Sequence, residues 1–305
     1  MKITYFLFRI MALLLVLPAT SCAQCSSAQV EVQVLGSGGP ELDDQRASSS
    51  YLIWLDGKAV ILIDTGSDSS LNFEKSGAAF NDLDAILFTH FHVDHSADLP
   101  AYIKGGFFTD RSRDLPVYGP EGNHLMPSTE NFLQSLFGGR GAYRYLSEYF
   151  LSSEDSAYKL KASSLSVEDK AVRRFHVGDA IDISAVPVHH GPIPALAWRI
   201  DVKGCSITFS GDMSNRYHSL ARLARGSDIL VAHNAIPESA TGVARNLHMP
   251  PSEIGRIAAK AGVRQLVLSH RMLRSLGREK ETERKIRRYY QGPLHFANDL
   301  DCFTP

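Results

Sequence analysis

Cysteine is scarce in this chain, with four in 305 residues: Cys22, Cys25, Cys205 and Cys302. That excludes a small scaffold held by a disulfide framework, since two of the four fall in a segment that reads as processed. Cys205 and Cys302 each lie beside strand-like sequence and are expected as free, packed thiols. An excess of one charge is also missing. Lys and Arg total 32 against 33 Asp and Glu, a net of −1, so bulk charge gives no pull toward nucleic acid or an acidic membrane. Repeats and low-complexity tracts are absent, which leaves an ordinary globular chain.

The one sustained apolar run is Ile10 to Leu17, preceded by Lys2 and Arg9 and broken by Pro18. It is too short to span a bilayer. Residues 1–27 therefore read as a signal peptide, with two outcomes open. A cut after Ser21-Cys22-Ala23 would release the chain to a periplasm; lipidation of Cys22, after Ala19-Thr20-Ser21, would tether it to a membrane. Losing Lys2 and Arg9 moves the formal charge from −1 to −3. Residues 28–305 are read as one α/β domain.

The richest stretch is Thr89-His90-Phe91-His92-Val93-Asp94-His95, directly after the apolar Ala85-Ile86-Leu87-Phe88. His90 and His92 are two apart, so near-extended backbone points both to one side. Asp94 and His95 follow as the chain turns and can face a second point. Neutral imidazole and carboxylate are what zinc or a similar divalent ion takes.

Other segments end the same way. Val30–Val34 alternates as a half-buried strand and enters the turn Gly36-Ser37-Gly38-Gly39. That turn has neither the dinucleotide pattern nor a P-loop lysine. Ser50–Leu55 and Ala59–Ile63 form a hairpin closed by Asp64, which either hydrogen-bonds behind the metal ligands or serves only the turn. Residues 123–170 read as helices and loops that could overhang the site. Strand-like runs then lead into His189-His190-Gly191, Ser210-Gly211-Asp212, His233-Asn234 and Ser269-His270. His176 reads as a plain strand residue. Ser252 is the expected cap of a helix ending near Ala261, just after His248. Residues 278–288 read as a solvated helix of both signs.

Strand ends thus offer His90, His92, Asp94, His95, one of His189 and His190, Asp212 and His270: enough for two ions. Two divalent ions less Asp94, Asp212 and one hydroxide leave about +1 in a poorly solvated cleft, which favours an anionic ester.

In these pieces the chain resembles the metallo-β-lactamase fold hydrolases, and among them the ribonuclease Z-like group. The likeness runs through Leu35-Gly36-Ser37-Gly38, Asp64-Thr65-Gly66, the His90–His95 element, Val117-Tyr118-Gly119-Pro120, His190-Gly191 before Trp198-Arg199, Phe209–Asp212, His248 and Leu268-Ser269-His270. It implies an αββα sandwich, two mixed sheets with helices on the outer faces, and a dinuclear zinc centre in which manganese or iron could substitute. His90, His92 and His190 would hold one ion, and Asp94, His95 and His270 the other, with Asp212 bridging. The family pattern His-Gly selects His190 over His189. Asp94 and His248 would carry catalysis, His248 steadying the transition state or protonating the leaving oxygen; its other reading is a plain helix-start residue. Two departures stand out. The long arm that grips transfer RNA in ribonuclease Z, set between the hairpin strands after the His-Gly motif, is missing around Lys203-Gly204. The group's histidine-glutamate pair is His233-Asn234 here, so His233 would stand behind the ligands without that carboxylate.

The expectation is hydrolysis of a small anionic ester, phosphodiester or aryl sulfate, by attack of a hydroxide bridging the metals. Transfer RNA is not expected as a partner, and a homodimer is compatible with the reading. The rivals are a β-lactamase or lactonase acting on a neutral carbonyl, a ribonuclease Z-like endonuclease, and a non-catalytic metal-binding surface protein.

Overall fold

The computed structural model describes residues 29–178 and 180–305, so the signal-peptide reading of 1–27 lies outside the described residues. The strands are β1 (Val30–Gly36), β2 (Ser50–Leu55), β3 (Lys58–Ile63), β4 (Ala85–Leu87), β5 (Leu115–Pro120), β6 (Leu160–Leu165) and β7 (Arg173–Val177). They continue with β8 (Ile181–His190), β9 (Ile193–Val202), β10 (Cys205–Phe209), β11 (Ile229–His233), β12 (Gln265–Ser269), β13 (Leu294–Phe296) and β14 (Cys302–Phe303). Helices are α1 (Ser69–Lys75), α2 (Val93–Ser96), α3 (Leu99–Gly106), α4 (Thr129–Phe137), α5 (Leu220–Leu223), α6 (Gly242–Leu247), α7 (Pro251–Ala261) and α8 (Glu279–Ile286). One seven-stranded sheet runs β14-β1-β2-β3-β4-β5-β6 and the other β13-β12-β11-β10-β9-β8-β7. Each is part antiparallel and part parallel, as expected of the αββα sandwich.

The strand period of two divides the apolar runs between layers. In β3, Ile61 and Ile63 point into the seam between the sheets, where they join Val32, Trp198, Phe209 and Val231. Leu62, between them, points outward to meet Phe73, Leu99 and Ile103 of the helical layer. On the opposite face Leu230, Leu266 and Leu268 pack against Ile254 and Ile257 of α7. Burial on both faces is why these central strands read as continuous hydrophobic runs. Trp198 is fully buried and its Nε1 donates to the Phe88 carbonyl at 3.0 Å, tying β9 to the end of β4.

Three expectations are corrected. Residues 123–170 contain β6 as well as helices and loops; it lies parallel to β5 at the sheet edge. Its sequence LKASSL, half polar, carries too weak an alternation to announce a strand, and pairing with β5 is what orders it. Ser252 does not cap α7: it lies inside the helix, whose N-cap is Pro250. Glu238, from the preceding loop, takes that role, its carboxylate accepting from Ser252 N at 2.9 Å and Ser252 Oγ at 2.7 Å. The thiols are not both free and packed. Cys205 is buried and disulfide-bonded, whereas Cys302 is free and exposed, so the two do not pair.

Glu238→Ala should cost about 1 kcal/mol in urea unfolding, the usual price of a lost N-terminal cap, while Ser252→Ala costs less because Ser252 N keeps its bond.

Candidate metal centre

The ends of β4, β8, β10, β11 and β12 meet at one edge of the sandwich. After β4 the backbone stays extended through His92 (φ −61°, ψ 153°), then closes into the single turn of α2. That change of direction separates two ligand pairs. His90 and His92 face His190 at the end of β8, with ring centroids 4.6 to 5.1 Å apart and His190 Nε2 3.3 Å from His92 Nδ1. Asp94 and His95, carried round by α2, face His270: Asp94 Oδ2 is 3.2 Å from His270 Nε2 and 3.5 Å from His95 Nε2.

Asp212 Oδ2 lies between the two groups, 3.4 Å from His270 Nε2, 3.7 Å from His95 Nε2 and 3.8 Å from His190 Nε2. Gly211, at φ +57°, makes the turn that brings it there; a Cβ at that position would stand 2.9 Å from Thr89 Cβ. Every residue named for the two ions is therefore within reach of this edge, and all but the half-exposed His92 are buried.

Hydrogen bonds from behind set the ring orientations. Asp64, fully buried and at φ +56°, accepts from Thr89 N at 2.7 Å and Thr89 Oγ1 at 2.8 Å, and its Oδ2 is 2.8 Å from His95 Nδ1. It thus serves His95 rather than the turn alone. A proton on Nδ1 toward that carboxylate leaves the His95 Nε2 lone pair facing the cluster. The Leu247 carbonyl does the same for His190, 2.9 Å from its Nδ1. His189 points elsewhere, bonded to Ser214 Oγ at 2.7 Å. His233 uses both nitrogens, Nδ1 at 2.8 Å from Asp212 Oδ1 and Nε2 at 3.0 Å from Tyr51 Oη, and so stands behind the bridge position. His248 is buried with Nδ1 3.7 Å from Asp212 Oδ1, beyond a hydrogen bond.

The donor set fits cations. His90 Nε2 and His95 Nε2 are buried without a hydrogen-bond partner, a cost that a bound ion removes. Burial pulls His90, His92 and His190 below the usual histidine range, so they present lone pairs. Burial would raise Asp94, but His95 and His270 outweigh it and hold the carboxyl at about 2. Burial is likewise overcome at Asp212 by His270 and by the hydrogen bond from His233, leaving it well below the carboxylate range. Asp94 and Asp64 push His95 up against burial, the mark of a site that wants positive charge. His248 is drawn down to about 3 by burial, which keeps it neutral.

Sequence reasoning assigned no role to Tyr51 or the Leu247 carbonyl. Tyr51 is an inward-facing residue of an apolar strand, and only the folded sheet shows what its hydroxyl meets.

Three groups of imidazole and carboxylate that could bind metal, two of them sharing Asp212, at the edge of an αββα sandwich, mark a metallo-β-lactamase fold hydrolase. The chain belongs to the β-lactamase superfamily: residues 60–271 match the β-lactamase superfamily domain. Proteins named ribonuclease Z are among those it is similar to. Ribonuclease Z of Mycolicibacterium paratuberculosis (strain ATCC BAA-968 / K-10) is 28% identical over 285 residues, covering 89% of this chain and 96% of that protein. Ribonuclease Z of Mycobacterium sp. (strain KMS) is 29% identical over 252 residues, covering 79% and 84%. Among solved structures, the metallo-β-lactamase fold protein YhfI from Bacillus subtilis superposes with a TM-score of 0.71 at 20% identity, over 90% of this chain and 99% of that one. The short form of human tRNase Z gives 0.68 at 18%, over 90% and 98%. A diphosphatase of the PhnP family gives 0.64 at 21%, over 91% and 98%.

Asp64→Asn replaces an acceptor with an amide that can turn a donor toward His95 Nδ1. Zinc affinity, measured by competition with a chromophoric chelator, should fall about 10–100-fold with the circular dichroism spectrum unchanged.

Proposed function

We propose that the protein is a zinc-dependent phosphodiesterase acting on small anionic substrates, exported and either periplasmic or tethered through Cys22. The observation that carries the hydrolytic reading is the position of Asp212 Oδ2, within 3.8 Å of imidazole nitrogens from both clusters. One carboxylate oxygen so placed can serve two cations at once. His90, His92 and His190 would hold one, and Asp94, His95 and His270 the other. Two such ions, zinc or its substitutes manganese and iron, would supply positive charge for the ester's oxygens and lower the pKa of bound water toward neutrality.

The protein's own groups do the rest. Asp64, Leu247 and His233 hold their partners in one orientation, so little reorganisation is needed during reaction. His248, neutral and buried at the rim of the cluster, donates a hydrogen bond to the departing oxygen. The likeness to enzymes named ribonuclease Z and to a diphosphatase favours phosphorus over sulfur or a carbonyl. Against a transfer RNA substrate stands the turn between β9 and β10, where Lys203 and Gly204 alone join Val202 to Cys205. No arm leaves the fold there.

A panel on purified zinc-loaded protein tests this: bis(p-nitrophenyl) phosphate, an aryl sulfate, a cephalosporin, an acyl lactone and a precursor transfer RNA. Only the phosphodiester should be turned over, and Asp212→Ala or His92→Ala should reduce it to background with the fold intact. Cleavage of the precursor alone would replace this reading with an endonuclease. His248→Ala should slow an alkyl ester, with its poor leaving group, by about 10²–10⁴-fold, and the p-nitrophenyl ester far less.

A further inference from the structure

Asp212 has two oxygens, and the site works only if one of them, Oδ2, is aimed at the cluster. The other, Oδ1, is held by His233 Nδ1 at 2.8 Å. A carboxylate accepts and cannot donate, so this bond exists only when His233 carries its proton on Nδ1. A neutral ring protonated there has a bare lone pair on Nε2, fully buried, which needs a donor. The atom facing it is Tyr51 Oη, at 3.0 Å. Tyr51 has a single proton to give, and Ser269 Oγ, also at 3.0 Å, competes for it. Tyr51 is fully buried in β2, in tilted contact with Phe209 and the His233 ring, so its hydroxyl has no solvent to turn to.

We propose that Tyr51 is a positioning residue: by donating to His233 Nε2 it satisfies the far side of a ring whose Nδ1–H is held by Asp212, and through that ring keeps Asp212 Oδ2 aimed at the cation pair. Without the phenol, the buried Nε2 lone pair has no donor, and the His233 ring is free to turn from Asp212 Oδ1 to find one. The carboxylate would lose that contact, and its bridging oxygen would leave the place where both clusters reach it. Tyr51 belongs to the sheet that delivers His90 to His95, whereas His233 and Asp212 belong to the other sheet. The hydroxyl therefore also sets the register of the two halves at the point where they must agree. The proposal rests on the cation-binding reading of the cluster and is independent of which ester is cleaved.

The test uses the full mature chain, with zinc as the probe. Nitrogen-15 NMR of the zinc-loaded wild type should show His233 protonated on Nδ1 with Nε2 as an acceptor. Tyr51→Phe, which removes one oxygen and keeps the ring, should abolish the hydrogen-bonded signature of Nε2 and weaken zinc binding about 10–100-fold. In a His233→Ala background the same substitution should cost nothing further, since its effect passes through the lost ring. A wild-type ring protonated on Nε2 overturns the proposal, and so does an unchanged zinc affinity in Tyr51→Phe. Equal losses in both backgrounds would also sink it, marking a packing role only. Wild type that binds no zinc fails the cation reading, whereas wild type that binds zinc while Tyr51→Phe binds it equally fails this proposal alone.

Discussion

The structure turns on a buried carboxylate that nothing in the chain can neutralise alone. Asp212 is enclosed by the rings of His95, His190, His233, His248 and His270, and removing a charge from water is costly unless it is matched. Around it stand His90 and His190, which burial keeps neutral, and His95, which the neighbouring carboxylates draw toward positive charge, an arrangement suited to cations. Much of the surrounding fold serves to aim those groups. Asp64 and the Leu247 carbonyl each sit one bond behind a ligand, and Tyr51 sits behind His233, which in turn bonds Asp212.

That design explains where the chain departs from ordinary backbone geometry. Asp64 and His270 hold positive φ, at 56° and 51°, immediately after buried strands. Such conformations are uncommon for residues with a Cβ and persist where surrounding contacts over-determine them. Here they let a strand end and its next side chain point back over the sheet edge rather than continue along it. The same economy appears at Gly39, where a Cβ would come within 2.9 Å of the His270 ring.

How much of this was legible beforehand follows from the range of each interaction. The His90–His95 element and the apolar runs of β3, β4, β11 and β12 are local patterns that showed the strands and four of the candidate ligands, whereas the αββα sandwich followed from the family resemblance. The choice of His190 over His189 needed the family pattern, because both end the same strand; the reason lies in Leu247 and Ser214, distant in sequence from each. Tyr51, Glu238 and β6 were silent for the same cause. A phenol in an apolar strand, an acid in a loop and a half-polar edge strand acquire meaning only from partners brought up by folding. The thiol of Cys205 likewise gave no local sign of its bond.

The two clusters draw their members from both sheets, His90 through His95 from one and His190, Asp212 and His270 from the other. Cations seated there would act as a clasp across the open edge of the sandwich. Because a ligand that binds only the folded form stabilises it by mass action, the resilience of this protein would rise and fall with the metal supply of its surroundings. Scarcity would then thin the population of folded molecules as well as silencing those that remain.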